Sequence, residues 1–203
     1  MSKLIKNCKQ FINSDATIVT KYIGFPVTPT RKIVYGALLA SFATILQSAG
    51  MLGGIGFAVS ALSTLPILIA TLISLQLGIL TYTVALVMIA IIQPSELFAF
   101  PFTTGLLGLG MGFAFRYFKK GILVAAFSGI SLTLGILFVL LIIQFPILGP
   151  AGTSGADLNL IMAILLFSIF YSWIWMKGFL LLVKRLDRII GKGAFDFQKG
   201  SSK

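Results

Sequence analysis

The feature that most constrains this chain is the stretch from Phe57 to Gln93, which contains 37 residues and no charged side chain. As a single α-helix it would be about 55 Å long, whereas the hydrocarbon core of a bilayer is about 30 Å thick. Two membrane passes are therefore needed. We place the turn between them near Gln76 and Gly78, and we expect a kink in the first pass at Pro66.

The composition extends this conclusion to the whole chain. Of its 203 residues, 58% are hydrophobic and 10% are charged, whereas charged residues make up about a quarter of an ordinary soluble domain. Four further apolar stretches bring the number of passes to six. We therefore expect an all-α integral membrane bundle of six transmembrane helices, at about 33–50, 57–75, 78–93, 97–118, 121–145 and 158–176.

The positive charges lie in three groups, which test this count. Of the sixteen Lys and Arg residues, six lie in 1–32, three in 116–120 and seven from Lys177 onward. Six passes put all three groups on one side of the membrane and Glu96 and Asp157 on the other, in agreement with the positive-inside rule. We expect both termini in the cytoplasm of a multi-pass cell-membrane protein. This interpretation is preferred to a nucleic-acid-binding patch.

The same groups divide the chain into a basic N-terminal segment (1–32), a membrane domain (33–184) and a basic C-terminal tail (185–203). The N-terminal segment is interrupted by Pro26 and Pro29, and it forms either a short amphipathic helix near Leu4 to Ile12 on the membrane surface or an unstructured tail. The sixth helix is expected to end in an aromatic and basic group typical of a headgroup interface, namely Tyr171, Trp173, Trp175 and Lys177. A short surface helix follows Lys184.

Several kinds of chemistry are excluded by the residues that the chain lacks. It contains no His and a single cysteine, Cys8, which excludes disulfide frameworks and multi-cysteine metal sites. It has no Walker A pattern, and its carboxylates are not paired in the middle of the bilayer as in proton relays. We expect no enzyme activity, no cofactor and no bound metal.

Polar side chains gather at the predicted outer ends of the helices. With Phe100 as an apolar wall, they predict a small solute-binding pocket, and the candidate residues are Gln47, Glu96, Phe100, Thr103, Thr104, Gln144 and Asn159. The alternative is that the polar residues only cap helix ends and meet water, and that Glu96 complements a helix N-terminus. The sequence leaves both interpretations open.

Small residues recur four apart on the first helix and on the fourth. In the first helix, the residues Gly36, Ala37, Ala40, Ser41 and Thr44 form a face that another helix can approach closely. This face serves either internal packing or the docking of a partner subunit. In the fourth helix, Gly108 and Gly112 form a GxxxG motif with Gly105 one turn earlier, for packing within the bundle or for dimerisation.

Three stretches resemble the substrate-binding S component of energy-coupling-factor (ECF) vitamin transporters: GALLASFATIL, LPILIATLISLQLGILTYTVALV and FPFTTGLLGLGMGFAFRYFKK. The resemblance covers about Ile33 to Met176. It implies six helices that bind a micronutrient on the extracellular side, and a cytoplasm-facing Ala-xxx-Ala motif on the first helix that docks a coupling membrane subunit carrying two ATPases. In this chain the residue four positions after Ala37 is Ser41, and the residue four positions after Ala40 is Thr44. Neither pair therefore has the second alanine of the motif.

Three functions are compatible with these features. The first is a non-enzymatic solute-binding subunit of an ECF-type importer, whose partners are a small solute, a coupling membrane subunit, ATPase subunits and the lipid bilayer. The second is a structural or assembly membrane protein whose glycine-rich faces hold other proteins. The third is a small membrane-embedded enzyme, for which no pair of nucleophile and base is visible.

Overall fold

A computed structural model describes residues 16–20, 23, 28–145 and 158–200 of the chain, and at positions 17, 20 and 189–200 it describes the backbone alone. All the regular elements in this part are helices. Six helical segments are long and apolar enough to cross a membrane, which confirms the predicted all-α, six-helix class. We call them spans 1 to 6: Pro29–Leu52, Ile55–Ile73, Leu75–Ile92, Pro94–Tyr117, Gly121–Ile143 and Leu158–Arg188.

The spans pack on their neighbours in the chain, and two pairs of spans that are not neighbours also pack closely. Span 1 packs on span 3 as well as on span 2, and span 2 also packs on span 4; span 5 lies between spans 4 and 6. Span 1 begins earlier than predicted, because Pro29 occupies the first turn of the helix Pro29–Ser48. Proline is well tolerated there, since the first N–H groups of a helix have no partner within it.

The turn between spans 2 and 3 lies at Ser74, not at Gln76 to Gly78 as predicted. Ser74 has extended backbone between the helices Thr64–Ile73 and Leu75–Ile92, and its hydroxyl accepts a hydrogen bond from Leu77 N at 3.1 Å. A serine in this conformation is a common helix N-cap. Gly78 is a packing residue instead, because a Cβ atom there would overlap Thr71 across the hairpin.

Span 2 is interrupted one turn before Pro66, in agreement with the kink expected from this proline, because a proline ring clashes with the carbonyl group four residues earlier, here that of Leu62. Its first helix, Ile55–Ala61, ends at Leu62 and Ser63, and a second helix runs over Thr64–Ile73. Pro66 therefore lies in the first turn of a helix, where its missing N–H breaks no intrahelical bond.

Span 4 is also interrupted, and its outer part consists of short pieces. A 3₁₀ turn at Pro94–Glu96 and a helix at Ala99–Phe102 precede the main helix Thr104–Tyr117. The break lies at Thr103, whose φ of −118° and ψ of −94° are not helical. The Thr103 hydroxyl and the Thr103 backbone N–H both donate to the Ala99 carbonyl oxygen, at 2.6 Å and 3.0 Å.

Spans 5 and 6 form the other side of the bundle. Span 5 is the helix Gly121–Phe138 with a π-helical end at Val139–Ile143. Gly129 lets it approach span 6 closely, since a Cβ atom there would lie 2.8 Å from Ile169 Cα. The last helix does not end at Met176 as predicted but continues to Gly200, and the predicted interface group therefore lies within it, with Lys177 Nζ 5.7 Å from the Trp173 ring centre.

The N-terminal segment also joins the core. Ala16 N donates to Lys119 O at 3.0 Å, and Ala16 and Val19 are buried in a cluster with Phe115, Phe179 and other apolar residues of spans 2, 4, 5 and 6. This buried turn was not predicted. The predicted surface helix at 4–12 lies outside the described residues.

Candidate functional site

The side chain of Gln47 connects three spans near the end of span 1. It is buried, with 2% of its surface exposed. Its Oε1 accepts hydrogen bonds from Ser63 Oγ in span 2 at 2.7 Å and from Thr104 Oγ1 in span 4 at 2.9 Å. Its Nε2 donates to Glu96 Oε2 at 3.0 Å. We call these four residues the Gln47 network.

The network lies where spans 2 and 4 are interrupted. Ser63 directly precedes the helix Thr64–Ile73, and Thr104 is the first residue of Thr104–Tyr117. Gln47 therefore meets the N-termini of two half-helices with its amide oxygen. A helix N-terminus carries a partial positive charge and unpaired N–H groups, so the acceptor end of the amide is favoured on that side and its donor end faces the carboxylate.

The carboxylate of Glu96 packs closely against Gly50, which has no side chain. A Cβ atom added at Gly50 would lie 3.2 Å from Glu96 Oε1, which is closer than most side-chain contacts. Glu96 ends the 3₁₀ turn Pro94–Glu96, whose backbone bond from Glu96 N to Gln93 O is 3.1 Å long. The end of span 1 and the beginning of span 4 thus meet at this carboxylate.

Three polar atoms next to the network in the chain are buried and have no hydrogen-bond partner among the described residues. Gln93 Oε1 belongs to a side chain that is only 3% exposed, and Thr64 is fully buried. A buried polar atom without a partner is uncommon, because its desolvation is not compensated. The three atoms are Ser48 Oγ, Thr64 Oγ1 and Gln93 Oε1.

Three of the predicted site residues, Gln47, Glu96 and Thr104, are brought together in this network. Thr103 lies beside them, but its hydroxyl is used at the break in span 4. Phe100 is fully buried and stacks on Tyr82 with 5.9 Å between ring centres. Their role in solute binding stays a prediction.

The other two predicted site residues, Gln144 and Asn159, do not join the network. Both are exposed, and they flank residues 146–157, which are not described. Conversely, sequence analysis missed Ser63. The sequence Ser63-Thr-Leu-Pro66 carries a signal that could have revealed it, because a serine shortly before a proline is typical of a helix start.

The small-residue face of span 1 is divided between the inside and the outside of the bundle. Gly36, Ala40 and Thr44 are buried, and a Cβ atom at Gly36 would lie 2.9 Å from Leu77 Cδ1 in span 3. These three residues therefore serve internal packing. Ala37 is exposed and Ser41 is half-buried, so the predicted docking of a partner now concerns this half of the face.

The glycines of span 4 are packed inside the chain. Cβ atoms at Gly108 and Gly112 would lie 2.9 Å from Ile67 Cβ and 2.5 Å from Thr71 Cβ, respectively, both in span 2. Gly105 similarly faces the ring of Tyr82 in span 3. The GxxxG motif thus brings spans 2 and 4 together, which leaves no room on this face for a second copy of the chain.

Arg116, in span 4, contacts the end of the helix Thr64–Ile73, whose beginning contacts Gln47. Its Nη1 donates to Thr71 O and to Leu72 O, both at 3.1 Å. A cation is favoured at a helix C-terminus, where carbonyl groups lack partners. The helix Thr64–Ile73 is therefore fixed by Gln47 at its beginning and by Arg116 at its end.

Comparison with known proteins assigns no family to the chain, because no family model, no curated protein and no solved structure matches it. The described residues also contain no group of three or more His, Cys, Asp or Glu side chains that could hold a metal ion. Two observations therefore bear on function: the Gln47 network, and the resemblance of three stretches of sequence to ECF S components.

Proposed function

We propose that this chain is the membrane-embedded substrate-binding subunit of an ECF-type importer. In this role it captures a small micronutrient at the extracellular side, for uptake driven by ATP hydrolysis in partner subunits. The observation that carries the proposal is the Gln47 network, a cluster of two buried and two half-buried polar side chains that joins three spans at the level where two of them are interrupted.

In many secondary transporters, solute sites are formed by interrupted helices, whose unwound backbone groups and half-helix ends bind the solute. Burying polar side chains among apolar helices is costly. A bundle that needed only stability could use apolar residues at Gln47 and Ser63. The network is therefore better explained by a binding role.

The positive charges support the orientation that this function requires. Arg31, Arg116 and Lys119 lie at one end of the bundle, together with the basic part of the last helix, and we call this the basic end. Glu96 and Gln47 lie at the other ends of their spans. The positive-inside rule places the basic end and both termini in the cytoplasm and the network outside. The exposed Ala37 lies in the cytoplasmic half of span 1, where a coupling subunit would dock.

A second candidate is a structural or assembly membrane protein. It is favoured by the fact that Gln47, Ser63 and Thr104 already satisfy one another, so that the network could serve only to hold the spans together. Interhelical hydrogen bonds of this kind stabilise membrane bundles by about 0.6 to 2 kcal/mol each.

The two candidates predict different results when the protein is purified in mild detergent and analysed by native mass spectrometry. A binding subunit is expected to carry one small molecule per chain. Thr104→Val should lower its occupancy about tenfold, because it removes a hydrogen bond that holds Gln47, and with it the partner of Glu96, in position. Thr83→Val is the matched control, because the Thr83 hydroxyl is exposed and bonds only Ile79 O.

The control should retain the molecule at the wild-type level. A wild-type protein that is repeatedly empty but purifies with other membrane proteins would instead identify an assembly role. Equal occupancy in the wild type and in both threonine variants would remove the network from the binding site.

A further inference from the structure

We propose that the solute carries a positively charged nitrogen, as in an ammonium or amidinium group, and that this group binds the Glu96 carboxylate. The inference rests on the proposed solute-binding function and adds the chemical class of the solute. It follows from the charge balance around Glu96 and from the direction of the hydrogen bonds in the network.

Among the described residues, Glu96 has no positive side chain in its part of the bundle. The sequence contains no Lys or Arg in 33–115 or in 121–176, and these stretches include spans 2, 3 and 5 entirely. Lys32 lies at the beginning of span 1, whereas Gln47 lies near its end. Arg116 lies about twenty residues from Glu96, at the far end of span 4. Glu96 is half-buried, and a carboxylate that is partly removed from water is favoured by a positive group beside it.

The network also leaves most of the carboxylate open. An ionised carboxylate has about four acceptor positions. In the described part of the chain, Glu96 accepts one hydrogen bond, from Gln47 Nε2. The Ser63 and Thr104 hydroxyls are directed at Gln47 Oε1 and so are used elsewhere. The free positions call for a donor that the described residues do not supply.

The rest of the surroundings also offers acceptors. Gln93, three residues before Glu96, is buried and its Oε1 has no donor in the described part of the chain. Ser48 Oγ, next to Gln47, also lacks a partner there. Both residues are neighbours of the network along the chain. A nitrogen with several N–H groups donates to more than one acceptor position of the carboxylate and neutralises it at the same time.

An inorganic cation fits these residues less well. Metal ions such as Ca²⁺ take six to eight oxygen ligands, and Mg²⁺ takes six. Gln47 presents its NH₂ group, not its oxygen, towards Glu96. Turning the amide round would break the two hydrogen bonds from the Ser63 and Thr104 hydroxyls to Oε1, and it would bring only one further oxygen to Glu96, fewer than either ion requires. The geometry therefore favours an N–H donor.

The test uses the full-length protein purified in mild detergent, with Glu96→Gln as the variant and Ser95→Ala as its control in the same 3₁₀ turn. Ser95 is exposed. The solute is released by denaturation and identified by high-resolution mass spectrometry, and its occupancy is measured by native mass spectrometry. We expect a compound with a nitrogen that is protonated at neutral pH, at full occupancy in Ser95→Ala and at least tenfold lower occupancy in Glu96→Gln.

The identity of the compound in the wild-type protein tests the proposal even if Glu96→Gln does not fold. A neutral or anionic compound would overturn the charge assignment and leave the solute-binding function in place. A basic compound that is retained equally by a folded Glu96→Gln variant would also overturn the assignment to Glu96. A wild-type protein without any bound compound would overturn the proposed function, and this inference with it.

Discussion

The helix Thr64–Ile73 is held by polar side chains at both ends, and the two ends are built differently. At its beginning, the Gln47 network consists of bonds between side chains. At its end, Arg116 donates to two backbone carbonyl groups. Side chains can exchange one partner for another by rotation, whereas backbone acceptors are fixed by the helix itself.

The packing around the two ends of the helix Thr64–Ile73 also differs. The basic end is closed by apolar packing, since Ala16 and Val19 are buried against residues of spans 4 and 6. Near the network, Glu96 is half-buried beside Gly50, and spans 2 and 4 are both interrupted. We infer that the basic end is the fixed part of the bundle and that the network end is the part that can rearrange around a solute.

The largest expected effect comes from a change between the two ends. Gly112→Leu should destabilise the bundle by about 3 kcal/mol or more, because the new side chain would overlap Thr71 and force spans 2 and 4 apart. The measurement is the yield of monodisperse protein in detergent and its unfolding temperature. The matched control is Gly178→Leu, since a Cβ atom at Gly178 has no neighbour within 4 Å.

If Gly112→Leu were as stable as the control, spans 2 and 4 would not be held by this close contact. The two ends of Thr64–Ile73 could then move independently, and the comparison between a fixed and a variable end would lose its basis.

The second largest effect distinguishes the role of the basic end from that of the network end. Arg116→Met should lower the free energy of unfolding in detergent by about 2 kcal/mol, because two charge-assisted hydrogen bonds to the end of span 2 are lost. Lys119→Met is the control, since this side chain is exposed, and its effect should stay within about 0.5 kcal/mol. Solute occupancy should be unchanged in both variants that fold. A folded Arg116→Met protein that loses its solute would show that the basic end also takes part in binding.

The number of helices could be predicted from the sequence because it depends only on lengths and charges. Uncharged stretches of known length fit a bilayer in few ways, and the basic groups at 1–32, 116–120 and 177–203 allow an even number of passes. The position of a turn depends on finer detail. Gly78 was interpreted as a turn residue, but it permits close packing against Thr71. Glycine is favoured both in turns and at close helix contacts, so the residue type alone does not distinguish these two roles.

The site could be predicted in part for a related reason. Counting residues along a span shows at which end Gln47, Glu96 and Thr104 lie. It does not show which way each side chain faces, because in a membrane protein both the lipid-facing and the core-facing sides of a helix are apolar. Ser63 was missed because it was expected to lie within one kinked helix, whereas it lies between two separate helices. Gln144 and Asn159 were included because they lie at helix ends, but their side chains are exposed and do not join the network.

The smallest expected change tests which end faces the outside of the cell. Ser95→Cys in a Cys8→Ser background should leave stability unchanged, since Ser95 is exposed and makes no contact within the Gln47 network. The new thiol should react with an impermeant maleimide added to intact cells, because the positive-inside rule places the network end outside. Lys120→Cys, at the basic end, is the control and should react only after the cells are permeabilised. Labelling in the reverse order would place the basic end outside, and a solute captured at Glu96 would then come from the cytoplasm.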